Sequence, residues 1–498
     1  MFSHNRWLIL AIVTSTLFLI IIDMTVLYTA LPRLTLALGA SSSEKLWIVN
    51  AYPLVVAGLL PGAGMLSDRL GHKNLFMCGL PVFAVASLCA AFSTSADMLI
   101  ASRVFLAVGA AMMMPATLAI VRHVFTDERE RALAIGIWSA VASGAAALGP
   151  VIGGVLLEYY WWGSVFLINV PVVLAVFPFA LALIPRGKGN KQRPCDFIGS
   201  ALVMAGLVGV IYALKELSHI NSSWLVIVCA AAAGVIFLGF FARRQQRALQ
   251  PMIDFSLFRN RAFACGVGVA ITSMIALIGI ELVLSQRLQL VLGLSPFMAA
   301  MFILPIPVAS ALASPLAGML IPRVGVRRIM VGGFALSALG IVMHALVFDA
   351  GTLLQLISLF ILGFGLGGAV TAASTSIMLN APEDKAGMVA AIEDVSWEMG
   401  GVLGVTLLGG LMTAVYSRSL ELPAGLVSGD AAYDSLDEAL ALASHLSPEH
   451  ASLISSLARA AFDQAFMAVL VSAALLVIAT VIVVKIVLRK SLGARLPS

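Results

Sequence analysis

Three carboxylates fall within six residues of an otherwise apolar stretch: Glu393, Asp394 and Glu398, in Ile392-Glu393-Asp394-Val395-Ser396-Trp397-Glu398-Met399-Gly400-Gly401. Asp394 and Glu398 are four residues apart, which puts them on one face of a helix. An ionised side chain at the centre of a bilayer costs ~2.5–3.5 kcal/mol or more. Two like charges side by side add to that cost, so at least one of the pair is expected to hold a proton near neutral pH. A site that trades protons for a cation needs this property. The plainer reading, strongest for Glu393, is that Glu393 and Asp394 lie at the headgroup level and face water. A second charged pair is further apart in the chain. Asp23 sits about 24 Å along a helix that begins near Trp7, and Arg103 falls a few residues into a later apolar run. Their depths match, so the two are expected to feel each other. They would serve either as a static pair that fixes packing or as one that loosens when Asp23 takes a proton or a cation. Aromatic rings near an acidic surface add cation–π contacts of ~0.5–2 kcal/mol. Tyr28, Trp47, Tyr52, Trp138 and Trp397 are the candidates, and for each the alternative is packing or anchoring at the membrane interface.

The elements that must position these groups follow from composition. Of 498 residues, 61% are hydrophobic and 11% are charged, against ~25% charged in a soluble domain. Water cannot accommodate that much apolar surface, which excludes a soluble enzyme, a nucleic-acid-binding module and a disordered scaffold. Apolar runs are expected to span a membrane at 7–29, 46–66, 74–93, 97–121, 132–157, 161–184, 197–216, 222–242, 263–284, 296–320, 329–348, 353–378, 388–415 and 463–487. Backbone groups in lipid must be satisfied within the segment, so the runs are helices. The first is read as a span and not as a cleaved leader, because no small-residue cleavage pattern follows it. With the N-terminus inside, 23 of the 30 Lys and Arg residues fall on the cytoplasmic side. This bias orients both termini to the cytoplasm and accounts for the net charge of +5 without nucleic acid. Glu216 and Glu281 fall near outer ends of spans and are expected to be solvated. The five cysteines include no CxxC, and His445 and His450 do not form a convincing metal pair.

The chain also repeats itself. Gly64-Met65-Leu66-Ser67-Asp68-Arg69-Leu70-Gly71-His72-Lys73 follows the second span, and Gly318-Met319-Leu320-Ile321-Pro322-Arg323-Val324-Gly325-Val326-Arg327 follows the tenth. Every matching position is offset by 254 residues. The simplest architecture is two six-helix halves with a two-helix insert between them: 1–190, 191–250 and 251–498. Parallel halves facing a midplane cavity are a transporter architecture. Asp68, Arg69, Lys73 and Arg131, with Gly64 and Gly71, would form a cytoplasmic charge network that latches one state.

These motifs resemble the major facilitator superfamily, and within it the fourteen-helix drug:proton antiporters of the SmvA-type, quaternary-ammonium-exporting branch. Gly64-x-Leu66-x-Asp68-Arg69-x-Gly71-x-Lys73 is similar to the family's cytoplasmic loop signature. Asp23-x-Thr25-x-x-Tyr28-x-Ala30-Leu31-Pro32 resembles the first-helix signature, with Tyr28 where asparagine is usual. Arg103 with Gly109, Ala111 and Pro115 resembles the fourth-helix signature, with Leu106-Ala107 where Gln-Gly is usual. Gly149-Pro150-x-x-Gly153-Gly154 resembles the fifth-helix antiporter signature, and the resemblance implies a role in excluding proton leak. The stretch 392–401 looks like the branch's acidic thirteenth helix.

The resemblance implies an all-α integral membrane protein of the major facilitator fold with 14 transmembrane helices. It implies a proton-coupled multidrug efflux antiporter of the bacterial inner membrane that exports lipophilic cations. The alternative is a transporter of the same fold for a neutral drug or a metabolite. Partners are then small cationic substrates, protons and membrane lipid, with no nucleic acid and with a monomer as the expected state. No cofactor is expected, because no GxxxxGK[ST] loop is present and the proton gradient would drive transport. No GxSxG or HExxH pattern lies in a span, so no enzymatic activity is expected. Pro305, Pro307 and Pro315 are expected to kink the tenth span. Residues 417–462 are expected to form an outer segment of two short amphipathic helices, 434–446 and one opened by Ser447-Pro448-Glu449.

Overall fold

A computed structural model describes residues 6–185, 196–217, 223–248, 251–380, 386–423 and 431–492; the side chains of Asp68 and Arg131 lie outside the described residues. Fourteen helices follow the order of the expected spans: α1 (Arg6–Leu38), α2 (Ser42–Leu70), α3 (His72–Ala91), α4 (Ala96–Val124), α5 (Glu128–Tyr159), α6 (Asn169–Leu183), α7 (Phe197–Glu216), α8 (Trp224–Arg247), α9 (Arg261–Gln286), α10 (Pro305–Val324), α11 (Val326–Val347), α12 (Thr352–Leu379), α13 (Ala386–Gly404) and α14 (Pro448–Leu492). Short helical pieces at Ser164–Leu167 and Pro296–Ile303 precede α6 and α10, and Gly410–Ser419 continues α13. No strand occurs among the described residues. Among the described residues, thirteen helical segments are long and apolar enough to cross a membrane. α5 is not among them; its described apolar stretch is the shorter Gly144–Tyr159.

The helices fall into two compact units. The first comprises Met1–Gly39, Trp47–Val208 and Gly234–Ile253; the second comprises Ala40–Leu46, Gly209–Ala233 and Asp254–Ser498. In the first unit α1 packs on α5 and α3 on α4, and in the second α11 packs on α12 and α9 on α13. Small residues permit these approaches. A Cβ on Gly79 would sit 3.0 Å from the Gly109 carbonyl oxygen, and one on Gly333 would sit 2.7 Å from that of Gly365. Gly79 and Gly333 are again 254 residues apart. The packing and dispersion of close backbones thus replace the hydrophobic drive that lipid cannot supply.

The repeat is visible in the backbone itself. Gly71 and Gly325 adopt φ of 91° and 90°, a region that costs an L side chain strain and glycine little. Gly71 N–H donates to the Ser67 carbonyl at 3.0 Å, and Gly325 N–H donates to the Ile321 carbonyl at 2.8 Å. Each glycine ends one helix and opens the next, so α2–α3 and α10–α11 turn in the same way.

Several expectations are revised. The tenth span loses a ladder hydrogen bond at Pro305, which has no N–H, while Leu304 keeps a helical φ of −51° and ψ of −32° and the segment runs on from Pro296 to Val324. The outer segment holds short helices at Ala431–Asp434 and Leu436–Ala443, but Pro448 does not open a separate second helix. It starts α14, which runs 45 residues without a break.

Three cations outside the cytoplasmic set are buried: Lys45, Lys215 and Arg287. Arg287 donates to Asp463 at 2.7 Å and to Asp349 at 2.9 Å, and its guanidinium lies over the Phe348 and Phe466 rings. In the second unit, Ser41 and Glu44 form a reciprocal capping box at the start of α2. Beside it Lys45 pairs with Asp437 at 2.5 Å, and the Ser42 hydroxyl donates to the Asp434 carbonyl at 2.6 Å. Burial opposes the charge on Asp437, but Lys45 outweighs it and holds the carboxyl below its ordinary range. Glu438 lacks that ion pair. Burial, then the charges of Asp434 and Asp437, push it up to about 7, against the pull of Lys45 and with Glu44 adding to the rise.

A raised carboxyl opposes folding once it must ionise. The penalty from Glu438 is absent below about pH 4.5, grows as pH rises, and is complete above about 7. Glu438→Gln should therefore raise the thermal midpoint at pH 8 and have little effect at pH 4.5. Melting curves of the purified protein at the two pH values check this, and an equal effect at both would refute it.

Candidate functional site

The charged candidates read from the sequence for proton and cation binding gather in two places, one in each unit. In the first unit, α1 carries Asp23 and α4 carries Arg103. Both are fully buried, at 0% and 1% exposure. Arg103 Nη1 donates to Asp23 Oδ2 at 2.6 Å. The start of α6 supplies Asn169, whose Nδ2 donates to Asp23 Oδ1 at 3.0 Å and lies 3.1 Å from the Ser87 hydroxyl of α3. From α2, the Ile48 carbonyl accepts from Arg103 Nε at 3.3 Å, and the Tyr52 ring lies 4.6 Å from the guanidinium carbon. Five helices thus converge on one ion pair. Desolvating two charges is expensive, and the pair is tolerable because extra hydrogen bonds occupy both carboxylate oxygens.

The Gly149-Pro150-x-x-Gly153-Gly154 stretch of α5 packs against the same part of α1. A Cβ on Gly149 would stand 1.8 Å from Thr25 Oγ1, and one on Gly153 would stand 2.4 Å from Val26 Cγ2. Thr25 and Val26 are the second and third residues after Asp23, so the glycines let α5 press directly on the helix that holds the buried acid.

In the second unit, α13 carries the acid triplet. Glu393 and Glu398 are buried and Asp394 is half-buried. Ser374 and Trp397 are side-chain hydrogen-bond partners of Glu393. Glu398 is different: its Oε2 is buried and has no hydrogen-bond partner among the described residues. The triplet is set in depth by glycines. A Cβ on Gly400 would lie 2.6 Å from the Ile271 carbonyl oxygen, and one on Gly404 would lie 2.8 Å from that of Ile275. Through Gly400 and Gly404, α13 therefore rests directly on the α9 backbone.

Further along α9 lies Glu281, which sequence reasoning left in solvent at an outer end. The structure keeps α9 helical to Gln286 and continues it as a wide π-turn to Val291, so Glu281 is half-buried well inside the segment. It shares a face of α9 with Met274 and Ile278, which contact Gly400 and Gly401. With Gly400 on Ile271 and Gly404 on Ile275, Glu281 stands about 18 Å from Glu398 along the axis, towards the other end of the pair. Glu281 has no hydrogen bond or ion pair among the described residues.

The remaining sequence candidates are placed as follows. Tyr52 is fully buried against Arg103. Trp138 donates its ring N–H to the Thr117 hydroxyl at 3.2 Å. Tyr28 is buried, Trp47 is half-buried at the outer part of α2, and Trp397 is half-buried beside Glu393. Arg69 is exposed. Lys73 does not stand free for a latch, because its ammonium donates to the Leu181 and Ile184 carbonyls, at 2.7 and 2.6 Å, at the end of α6. Gly64 lies in open space. Asn169 and Ser87 were missed by sequence reasoning, since a neutral side chain in an apolar run carries no signal of its charged partner.

A duplicated, helical fold with charges buried in its apolar spans is that of a multi-pass membrane protein. The chain matches the profile of the Major Facilitator Superfamily over residues 13–405 and again over 262–495. It is 43% identical over 461 residues to the methyl viologen resistance protein SmvA of Salmonella typhimurium, covering 92% of this chain and 93% of that one. It is 37% identical over 493 residues to the multidrug efflux pump LfrA of Mycolicibacterium smegmatis, covering 98% and 97%. Among solved structures, a bacterial homolog of the human lysosomal transporter Spinster, inward-facing and unoccupied, superposes with a TM-score of 0.68. It covers 98% of each chain at 16% identity, a likeness of fold alone. The protein belongs to the major facilitator superfamily.

Removing Asp23 would leave Arg103 charged and dry. Asp23→Asn should destabilise the protein by ~3–5 kcal/mol, and much of that loss should return when Arg103→Met is added. Thermal unfolding of both single variants and the double variant in detergent measures the coupling. Additive losses would mean that the pair holds nothing together.

Proposed function

We propose that the protein is a proton-coupled multidrug antiporter of the bacterial inner membrane, with both termini cytoplasmic. Its substrates are lipophilic cations: quaternary ammonium biocides, cationic dyes and compounds like methyl viologen. The observation that carries the reading is the buried, unpartnered carboxylate oxygen of Glu398 within a membrane span. A carboxylate that lacks a protein partner is open to a proton or to a bound cation, and an intramembrane acid is by default a functional group. Asp394, one turn before Glu398, extends the same acidic surface along α13. Names borne by two relatives, methyl viologen resistance and multidrug efflux, fit a cation exporter.

In this reading the deprotonated carboxylates bind a cation that has partitioned from the inner leaflet. Alternating access then exposes the site to the more acidic exterior, where protons displace the cation. Each proton returning inward down 100 mV contributes ~2.3 kcal/mol. Asp23 is already neutralised by Arg103 and supports the fold in preference to carrying the proton. No catalytic residue, cofactor or metal takes part.

A neutral drug or a metabolite is the alternative substrate, and charge separates the two readings. Inside-out vesicles with an acid lumen should take up ethidium, quaternary ammonium should compete, and collapse of the gradient should stop uptake. Glu398→Gln should reduce uptake to the uncoupled level without lowering the thermal midpoint, and Glu281→Gln should weaken uptake less. Full gradient-driven uptake by Glu398→Gln would remove this carboxylate from the mechanism. Failure of the wild-type protein to move any cation, in vesicles that hold their gradient, would favour the neutral substrate.

A further inference from the structure

The two copies of the loop repeat spend their cations differently. In the first copy Lys73, in the opening turn of α3, donates to two carbonyls at the end of α6, the sixth helix. Its neighbour is neutral: Asn74 donates to the Leu70 carbonyl at 2.9 Å. The equivalent of Lys73 is Arg327, in the opening turn of α11. Arg327 Nη2 donates to the Lys485 carbonyl at 3.2 Å near the end of α14. The same device therefore ties the third helix of each six-helix set to its last.

The second copy carries surplus positive charge. Asn74 is replaced by Arg328, and the residue whose carbonyl Arg327 grasps is itself a lysine. Arg327, Arg328 and Lys485 line a cavity of about 410 Å³ whose apolar walls are Val331 and Ile486. None of the three cations forms an ion pair among the described residues. One contact to a carbonyl leaves most of the Arg327 donors unused. The first turn of α11 has no side-chain cap and adds its own partial positive charge. Below Lys485 the outer face of α14 is an exposed apolar stripe of Ile486, Ile482, Ile478 and Leu475.

Three neighbouring cations with no acid among them repel one another, and an anion between them would turn that repulsion into attraction. Guanidinium groups suit phosphate, because their planar fork presents paired donors. A charged head at the end of an apolar stripe has the layout of a phospholipid, and the basic residues that line the cavity fall at the end of the helices where the positive-inside rule places the cytoplasm. We propose that the cavity formed by Arg327, Arg328 and Lys485 binds the phosphate headgroup of an anionic phospholipid of the inner leaflet, with its acyl chains along the α14 stripe. The lipid then bridges α11 and α14, reinforcing the single contact between Arg327 and the Lys485 carbonyl. This inference is independent of the transported substrate.

The test uses the full-length protein, purified and delipidated in detergent. Cardiolipin, phosphatidylglycerol, phosphatidylcholine and inorganic phosphate are each titrated, with bound lipid read by native mass spectrometry and the thermal midpoint read alongside. The two anionic lipids should bind and raise the midpoint, while phosphatidylcholine and inorganic phosphate should not. The triple substitution Arg327→Gln, Arg328→Gln and Lys485→Gln should weaken cardiolipin binding by about a hundredfold, at about a factor of five for each basic residue. Exposed Arg328→Gln alone, which leaves the Arg327 contact to α14 in place, should weaken it by about fivefold and keeps the test open if the triple variant unfolds. Arg243→Gln with Arg247→Gln, two exposed cations at the end of α8, should leave binding unchanged. Equal loss in that control would reduce the effect to general charge attraction and overturn the proposal. So would unchanged cardiolipin binding in the Arg328→Gln variant, or an equal rise in midpoint with inorganic phosphate, which would make the site one for soluble anions.

Discussion

A charge placed in hydrocarbon must be neutralised, and the rest of the structure is arranged around where that is done and where it is not. Asp23 and Arg103 neutralise each other, and Asn169, Ser87, Tyr52 and the Ile48 carbonyl complete their shell. Arg287 is treated likewise by Asp349, Asp463 and two phenylalanine rings. Glu398 receives no such treatment. The contrast is informative because the chain evidently can supply partners to buried charges. An acid left without one in the same structure is not explained by fold stability, since a neutral isostere there would cost the fold less.

The duplicated framework explains how one set of helices tolerates both arrangements. The matching glycine turns at Gly71 and Gly325 and the matching close approaches at Gly79 and Gly333 use backbone alone. Side chains are then free to diverge between the copies. Lys73 and Arg327 keep a shared role, tying two helices by a carbonyl contact, while the residues around them move from neutral to strongly basic. Small residues do equivalent work around the acids. Gly149 and Gly153 admit α5 to the Asp23 segment, and Gly400 and Gly404 seat α13 on α9.

The spans, the repeat and the pairing of Asp23 with Arg103 were legible in the sequence, because lipid imposes long apolar runs and makes every charge inside them conspicuous. Asp23 and Arg103 could be matched by depth for that reason. The partners were less legible. Asn169 and Ser87 are neutral and short, and nothing in an apolar run distinguishes a hydrogen-bonding asparagine from a packing one. Glu281 was misjudged because the π-turn at 287–291 lengthens its span beyond the point where hydropathy ends it. The burial of Lys45, Lys215 and Arg287 was not legible, because sidedness tells where a cation lies and not whether a carboxylate or hydroxyl distant in sequence buries it. The continuity of α14 was hidden by Ser447-Pro448, a helix-start signal that is used, but for one long helix and not for a short one.

That long helix has a mechanical consequence. At 1.5 Å per residue, the 45 residues of α14 extend about 67 Å, more than twice the thickness of the ~30 Å hydrocarbon core. It packs against the Leu436–Ala443 helix near one end and α11 towards the other. A rod of that length pivoting through 10° about its middle carries its tips roughly 6 Å in opposite directions. Within its unit α14 is therefore a lever, and an event that tilts it at one membrane surface is felt, inverted, at the other.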